Sequence, residues 1–223
     1  MRGLLPGMVA LGAAFMTAPA QASFVQEGTP ITVGAQPYGV VAADFNGDAR
    51  ADVATVNGTS SNLSVLLRQA AGGFAAETGS PFAVGAGPDY GHVADFNGDG
   101  LLDVTVGNFV GNSVSVLLRQ ASGGFTAEPA PPVASASSVA VADFNGDGRP
   151  DIASPSYNGA SVTTLLRQAA GGFVAEPTRP GTGINPRDLA AADFNGDGLP
   201  DLAVTNLGSA SVTILLRSAA GGF

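Results

Sequence analysis

The sequence has 223 residues, of which 45% are hydrophobic and 12% charged, with 32 glycines, 15 prolines and no cysteine. It is long enough to bury a core, it cannot use disulfides, and all-β domains of this size commonly stay undivided. The chain has 18 acidic and 9 basic residues and a formal net charge of −9. Because this charge repels a phosphate backbone, we do not expect nucleic acid as a partner.

The first 22 residues have the features of a secretory signal peptide. Arg2 precedes an apolar run over 4–16, and Ala20-Gln21-Ala22 supplies the small residues of a cleavage site. The run is too short to cross a bilayer as a permanent helix. We therefore expect cleavage after Ala22, a mature chain without a membrane span, and a secreted location, either extracellular or periplasmic. The alternative is a buried N-terminal helix.

An acidic motif recurs four times at intervals of about 50 residues, at 44–52 (DFNGDARAD), 95–103 (DFNGDGLLD), 143–151 (DFNGDGRPD) and 193–201 (DFNGDGLPD). A repeat of this length is typical of propeller blades or solenoid turns. A small-residue strand precedes each motif. Two strand-like runs follow, the second ending in Leu-Leu-Arg, and a Gly-Gly-Phe turn then opens a fourth strand. The pattern predicts an all-β propeller of four four-stranded blades.

We expect one domain over 23–223, with repeats at about 24–73, 74–124, 125–172 and 173–223. Because 24–27 resembles 74–77, the N-terminal strand is predicted to complete the last blade and remove an exposed sheet edge. The alternative is an open fragment of a longer array of repeats, and blades that do not close could self-associate. The Gly-Gly pairs and the Asn-Gly pairs at 57–58 and 158–159 are expected to adopt positive φ in hairpin turns.

Each motif carries side-chain oxygens at positions one, three, five and nine, with a backbone carbonyl at position seven, as in loops that hold a hard cation. Three carboxylates without sulfur favour Ca²⁺ over Mg²⁺, zinc and copper. Position twelve lacks the glutamate of an EF-hand. Metal-free Asx turns are the alternative, which repulsion between three carboxylates disfavours. The predicted ligands of up to four ions are Asp44, Asn46, Asp48, Arg50 and Asp52; Asp95, Asn97, Asp99, Leu101 and Asp103; Asp143, Asn145, Asp147, Arg149 and Asp151; and Asp193, Asn195, Asp197, Leu199 and Asp201.

The first motif has Ala49 where the other three have glycine. If this position requires positive φ, alanine costs about 1 kcal/mol there. The first site is therefore predicted to be the weakest.

These repeats resemble the FG-GAP/VCBS type of integrin α-subunit propellers and of many bacterial exported proteins. The resemblance covers essentially the whole mature chain, through the DxNxDGxxD loop and the downstream Leu-Leu and Gly-Gly-Phe. It implies a propeller whose blades each bind calcium in that loop. Integrin propellers have seven blades, so the four units found in this sequence depart from that pattern.

Two further sets of residues recur in phase. The motif phenylalanines are expected to point into the blade cores: Phe45, Phe96, Phe144 and Phe194. Four arginines recur in phase with four glutamates: Arg68, Arg119, Arg167 and Arg217 with Glu27, Glu77, Glu128 and Glu176. This pattern predicts cross-strand ion pairs that stabilise the fold by a few tenths of a kcal/mol each. The alternative is a belt of arginines that binds a ligand.

No catalytic constellation is recognisable, since the chain has one histidine and no cysteine. We predict a secreted calcium-binding propeller, not an enzyme, that acts as an interaction or adhesion module for an extracellular protein or glycan, with calcium structural. The alternative is an accessory propeller, or a fragment, of an exported carbohydrate-active or other enzyme. An active site of its own would need unrepeated residues such as Asp89, His92, Arg187 and Asp188. Three out-of-phase tyrosines could mark a binding face: Tyr38, Tyr90 and Tyr157.

Overall fold

The computed structural model describes residues 25–130 and 132–223, and the chain divides into two compact units, Met1–Pro30 and Ile31–Phe223. In the first unit only 25–30 are described, and these residues form no strand. The predicted signal peptide at 1–22 lies outside the described residues. Across the two described ranges, no helix is long and apolar enough to cross a membrane.

The second unit consists of four antiparallel sheets that follow one another along the chain, the four blades of an all-β propeller. The first blade comprises β1 (Pro37–Ala43), β2 (Asp52–Asn57), β3 (Asn62–Arg68), β4 (Phe74–Ala76) and the short β5 (Phe82–Ala83), which pairs with β3. The second comprises β6 (Pro88–Ala94), β7 (Asp103–Asn108), β8 (Ser113–Arg119) and β9 (Phe125–Glu128). The third comprises β10 (Ala140–Ala142), β11 (Asp151–Ser156), β12 (Ser161–Arg167) and β13 (Phe173–Ala175). The fourth comprises β14 (Pro186–Ala192), β15 (Asp201–Asn206) and β16 (Ser211–Leu215).

Each blade begins with an inner strand, and the inner strands of successive blades lie side by side: β1 beside β6, β6 beside β10, and β10 beside β14. Small residues are required at this crowded centre. A Cβ atom on Gly39 would lie 2.8 Å from the backbone oxygen of Asp89 in the next blade. The alanine, glycine and valine content of these strands therefore follows from how closely their backbones approach.

The described part of the fourth blade contains three strands. The N-terminal strand that was predicted to complete it, over 24–27, does not form within its described residues, 25–27, and closure of the propeller is not shown. The sheets also run in a different phase from the predicted repeats. Phe74–Ala76, at the start of the second predicted repeat, is the outer strand β4 of the first blade.

The turns confirm one conformational prediction and correct another. The Gly-Gly pairs have positive φ, for example 92° at Gly72 and 75° at Gly73. The prediction was wrong for the Asn-Gly pairs, because the positive φ falls later, at Ser61 (50°) and Ala160 (45°). These β2–β3 and β11–β12 connections are four residues long, and such loops are commonly built around a type I turn rather than a two-residue Asn-Gly turn.

The apolar cores lie at the junctions between blades. One cluster joins Val56 and Val65 of the first blade to Val104 and Leu117 of the second, and equivalent clusters join the second blade to the third and the third to the fourth. The motif phenylalanines belong to these clusters in three blades, as predicted. In the fourth blade the prediction was wrong, because Phe194 is 48% exposed.

The predicted arginine–glutamate pairs of Arg119, Arg167 and Arg217 form, and they connect successive blades. Arg119 Nη1 donates to Glu77 Oε1 of the preceding blade at 2.5 Å, and Arg217 binds Glu176 through two hydrogen bonds of 2.8 Å. Arg167 pairs with Glu128 in the same way. The side chains are largely buried, so these are not the weak surface pairs that we expected. Burial raises the pKa of Glu176, but the hydrogen bond and charge of Arg217 outweigh it and hold that pKa below its usual value.

Candidate metal-binding loops and cleft

The four motifs form loops of one geometry, which we call the acidic loops (44–52, 95–103, 143–151 and 193–201). The first aspartate of each is a hub for backbone amides. Asp44 accepts hydrogen bonds from the N–H groups of Gly47, Asp48 and Ala49 at 2.7–3.1 Å. Asp95, Asp143 and Asp193 do the same in their loops. This carboxylate therefore defines the turn of the chain.

The third and fifth positions continue the pattern as Asx turns. Asn46 Oδ1 accepts the N–H of Asp48 at 3.1 Å, and Asp48 Oδ1 accepts the N–H of Arg50 at 2.9 Å. The other loops repeat both bonds. The side-chain oxygens of each loop thus turn toward its own backbone.

The ninth-position aspartate lies in the interior. Asp151 is 0% exposed; its Oδ2 accepts the N–H of Phe144 at 2.9 Å and its Oδ1 that of Arg167 at 2.7 Å. Asp52, Asp103 and Asp201 make the equivalent bonds and are equally buried. This residue ties the loop to the end of the third strand of its own blade, a role that its spacing in the sequence did not reveal.

The pKa is shifted at the first aspartate of the fourth acidic loop and at the ninth aspartate of the second and third. The N–H of Gly198, together with neighbouring amides, holds the pKa of Asp193 below its usual value. Burial raises the pKa of Asp103 to about 6, and the charges of Asp99 and Asp95 add to this, while two backbone N–H bonds act in the opposite direction. Asp151 behaves like Asp103. Negative charge is therefore only partly compensated within these loops.

The sixth position requires a left-handed backbone, as the glycines suggested. Its φ is 84° at Gly100, 82° at Gly148 and 86° at Gly198, and Ala49 adopts 63°. Alanine in this region is strained through its Cβ atom. The condition on which the predicted weakness of the first site depends is therefore met.

Replacing Ala49 with glycine is expected to stabilise the protein by about 1 kcal/mol, because the strain disappears while the hydrogen bonds of the loop remain. Urea unfolding of both proteins measures the difference. Ala51→Gly is the matched control: this alanine belongs to the same loop and does not have positive φ, so its replacement should be neutral or destabilising. Equal effects of the two changes would contradict the assignment of strain to Ala49.

The seventh position divides the loops into two kinds. In the first and third, Arg50 Nη2 donates to Asp48, and Arg149 Nη2 donates to Asp147. Leucine occupies this position in the other two, at Leu101 and Leu199. A guanidinium group thus neutralises part of the charge of two acidic loops.

The loops fit calcium by their donor chemistry. Each offers oxygen donors only, and a carboxylate oxygen that accepts one N–H keeps a second lone pair. Within 25–130 and 132–223, however, no group of three or more His, Cys, Asp or Glu side chains is placed to hold a metal ion. Asn97 Nδ2, for example, donates to Asp99 Oδ2 at 2.9 Å. An ion would have to replace such contacts, so the predicted ligand sets stay predictions.

A cleft lies at the opposite ends of the inner strands from the acidic loops. It has a volume of about 410 Å³ and takes its walls from three blades. Arg187 Nη2 donates to Asp89 Oδ2 at 2.5 Å, and the Arg187 guanidinium lies 5.9 Å from the centre of the Phe109 ring. Asp89 is buried, and this burial raises its pKa. The positive charge of Arg187 acts in the opposite direction but is the smaller effect. The remaining polar and aromatic walls include Gln36, Tyr38 and Thr59.

The cleft collects residues that break the repeat. In each blade, one residue of the inner segment is the first to pair with the second strand. The residue after it differs in every blade: Tyr38, Asp89, Ser137 and Arg187. Three of these line the cleft, and Ser137 Oγ donates to the backbone oxygen of Arg187 at 2.6 Å. The only sign of this site in the sequence was that one position of the repeat holds a different residue in each blade.

The other unrepeated residues that we singled out are not all brought together. His92 and Asp188 are exposed and do not line the cleft. Tyr90 is exposed outside the cleft. Tyr157 packs edge-on against Phe109 with ring centres 5.3 Å apart. Gln36, Thr59 and Phe109 were missed by the sequence reasoning.

Comparison with protein families matches residues 95–154 to an FG-GAP-like repeat and residues 185–214 to an FG-GAP repeat. The chain contains FG-GAP repeats. No curated protein matches it significantly. The matched stretches contain the second, third and fourth acidic loops, so the motif that carries the resemblance is the one that the family models detect.

Solved structures support the propeller fold of this FG-GAP repeat protein. A protein from Lactobacillus plantarum superposes with a TM-score of 0.53 at 19% identity, covering 89% of this chain and 62% of that one. BBS1N, in a complex with ARL6DN, superposes with a TM-score of 0.52 at 12% identity, covering 83% of this chain and 58% of that one. The chain therefore spans about three-fifths of the length of these structures, and at such identities the likeness concerns the fold alone.

Proposed function

We propose that this FG-GAP repeat protein is a secreted, calcium-binding interaction module without catalytic activity, whose partner is an extracellular protein or glycan. The observation that carries the proposal is the cleft, where a repeated scaffold presents unrepeated side chains from three blades. A repeated scaffold that presents unrepeated side chains on one surface is expected to bind a ligand there. FG-GAP repeats in the family matches agree with an interaction module.

Calcium has a structural role in this proposal. It would be held by the aspartates and asparagine of each acidic loop, with the carbonyl of the seventh residue as a further ligand. The partly compensated charge of the loops favours a cation, and the ion would exchange contacts such as Asn97–Asp99 for its own. An affinity of roughly 0.1–1 mM is typical of extracellular calcium modules and suits a secreted protein.

A glycan is the partner class that fits the cleft best. The exposed ring of Tyr38 and the half-buried ring of Phe109 offer apolar surface, while Gln36, Thr59 and Arg187 offer hydrogen-bonding groups around them. Net negative charge makes a neutral sugar more suitable than an acidic one. The Arg187–Asp89 pair holds its guanidinium in place and leaves further N–H donors on that group.

The test is binding of the calcium-loaded protein to an array of neutral glycans, with calorimetry on those that bind. Tyr38→Ala is expected to weaken binding at least tenfold. Tyr90→Ala is the matched control, because Tyr90 is also exposed but lies outside the cleft, and it should bind as the native protein does. Absence of any glycan binding, equal effects of the two changes, or hydrolysis of a bound glycan would each overturn the proposal in this form.

A further inference from the structure

The fourth blade exposes the apolar residues that the other three blades bury. The motif phenylalanine is 1% exposed at Phe45, Phe96 and Phe144, and 48% exposed at Phe194. The four residues occupy the same position in the same loop. The difference therefore comes from what covers the blade and not from the residue.

The third strand of each blade shows the same contrast. Val212 in β16 is 60% exposed, whereas its equivalents Leu63, Val114 and Val162 are exposed by 0%, 5% and 0%. Ile214 is 51% exposed, and its equivalents Val65 and Val116 are 0% and 1% exposed. Together with Leu216, these residues form what we call the open face: Phe194, Val212, Ile214 and Leu216.

In the first three blades this face is covered by the next blade. Its phenylalanine meets the Gly-Gly-Phe ring of that blade edge-on, at 5.8 Å for Phe45–Phe125, 5.7 Å for Phe96–Phe173 and 5.8 Å for Phe144–Phe223. The β-strand valines and leucines complete the junction cores. The open face therefore has the shape and chemistry of half a blade junction.

The chain also carries the other half. Phe74 of the first blade is the equivalent of Phe125, Phe173 and Phe223, and it carries the same arginine stacked over its ring, Arg68 at 5.0 Å. Val53 on the same face is only half-buried, whereas its equivalents Val104, Ile152 and Leu202 are 0% exposed. A second copy of this chain thus supplies a matching blade.

We propose that the open face is an interface between copies of this chain, and that it packs against the Val53 and Phe74 face of the first blade of a second copy. The contact joins two different surfaces, so it is head-to-tail. Two four-bladed copies that repeat it reciprocally make a ring of eight blades, which lies within the range known for propellers. The interface buries apolar residues that an isolated chain leaves in water.

The mass of the full chain in solution with calcium, measured by sedimentation equilibrium, tests the proposal. The native protein is expected to have twice the mass of one chain, and Ile214→Glu is expected to reduce it to one. Val174→Glu is the matched control: Val174 is 56% exposed but lies on the outer strand of the third blade, and this variant should remain a dimer. A native monomer, including a chain closed on itself, or a dimer insensitive to Ile214→Glu would overturn the proposal.

A second experiment locates the contact without depending on the fold of the glutamate variant. The chain has no cysteine, so Phe194→Cys and Phe74→Cys proteins can be mixed and treated with a short bis-maleimide. Cross-linked pairs containing one of each are expected. The double variant Phe45→Cys, Phe125→Cys is the positive control, because those two residues meet within one chain. If that control reacts and the mixture does not, the proposed contact is wrong.

Discussion

Removing calcium with EDTA is expected to lower the melting temperature of the protein by about 15 °C. Four sites, each at a free calcium concentration ten times its Kd, would contribute about 6 kcal/mol, or about 1.4 kcal/mol per site. For a chain of this length a change of 1 kcal/mol corresponds to about 2–4 °C. Differential scanning calorimetry with and without EDTA measures the effect.

The expected loss should be reversed by adding calcium in excess of the chelator and much less by magnesium, which demands a tighter octahedral site. A variant with Asp99→Asn and Asp197→Asn should lose about half of the response, because it weakens two of the four acidic loops. An identical melting curve with and without EDTA would contradict the proposed structural role of calcium.

Replacing the buried Asp151 with alanine is expected to destabilise the protein by about 3 kcal/mol even when calcium is absent. The change leaves the N–H groups of Phe144 and Arg167 without their acceptors in the interior. Asp151→Asn should also destabilise, because its amide can accept one of these hydrogen bonds but presents an NH₂ group to the other donor. Urea unfolding in EDTA provides the measurement.

Asp147→Asn, in the same loop, is the control for this prediction. Asp147 is exposed, and its ion pair with Arg149 is of the surface kind, which contributes little. Its replacement should hardly change stability in EDTA but should reduce the stabilisation by calcium. If Asp147→Asn and Asp151→Ala had equal effects in EDTA, the ninth position would not have the separate role that its two hydrogen bonds indicate.

Repetition made several local features predictable. A glycine that recurs at the sixth position of the motif implied positive φ there, and Ala49 adopts it. Arginines and glutamates in phase implied pairs, and Arg119–Glu77 forms one of them. Both inferences rest on short stretches whose hydrogen bonding is the same in every blade. The wrong prediction of positive φ at the Asn-Gly pairs shows the limit, since the length of the loop overrode the dipeptide.

The residues of the cleft could not be predicted in the same way. Asp89 and Arg187 are 98 positions apart, and their pairing depends on how the second and fourth blades face each other across the inner strands. The ninth-position aspartates looked like metal ligands in the sequence, but their carboxylates also accept two backbone N–H groups in the interior. Contacts between distant segments decide both cases.

The sequence by itself determined that this is an all-β repeat protein with four acidic loops, because each blade is built from the same local strands and turns. Only the tertiary structure decided which residues at the same position of the repeat are buried and which are exposed. Phe144 and Phe194 occupy the same place in the repeat, yet one is 1% and the other 48% exposed. The physical reason is that a blade buries its apolar face against a neighbour, and the presence of that neighbour is not encoded within the blade.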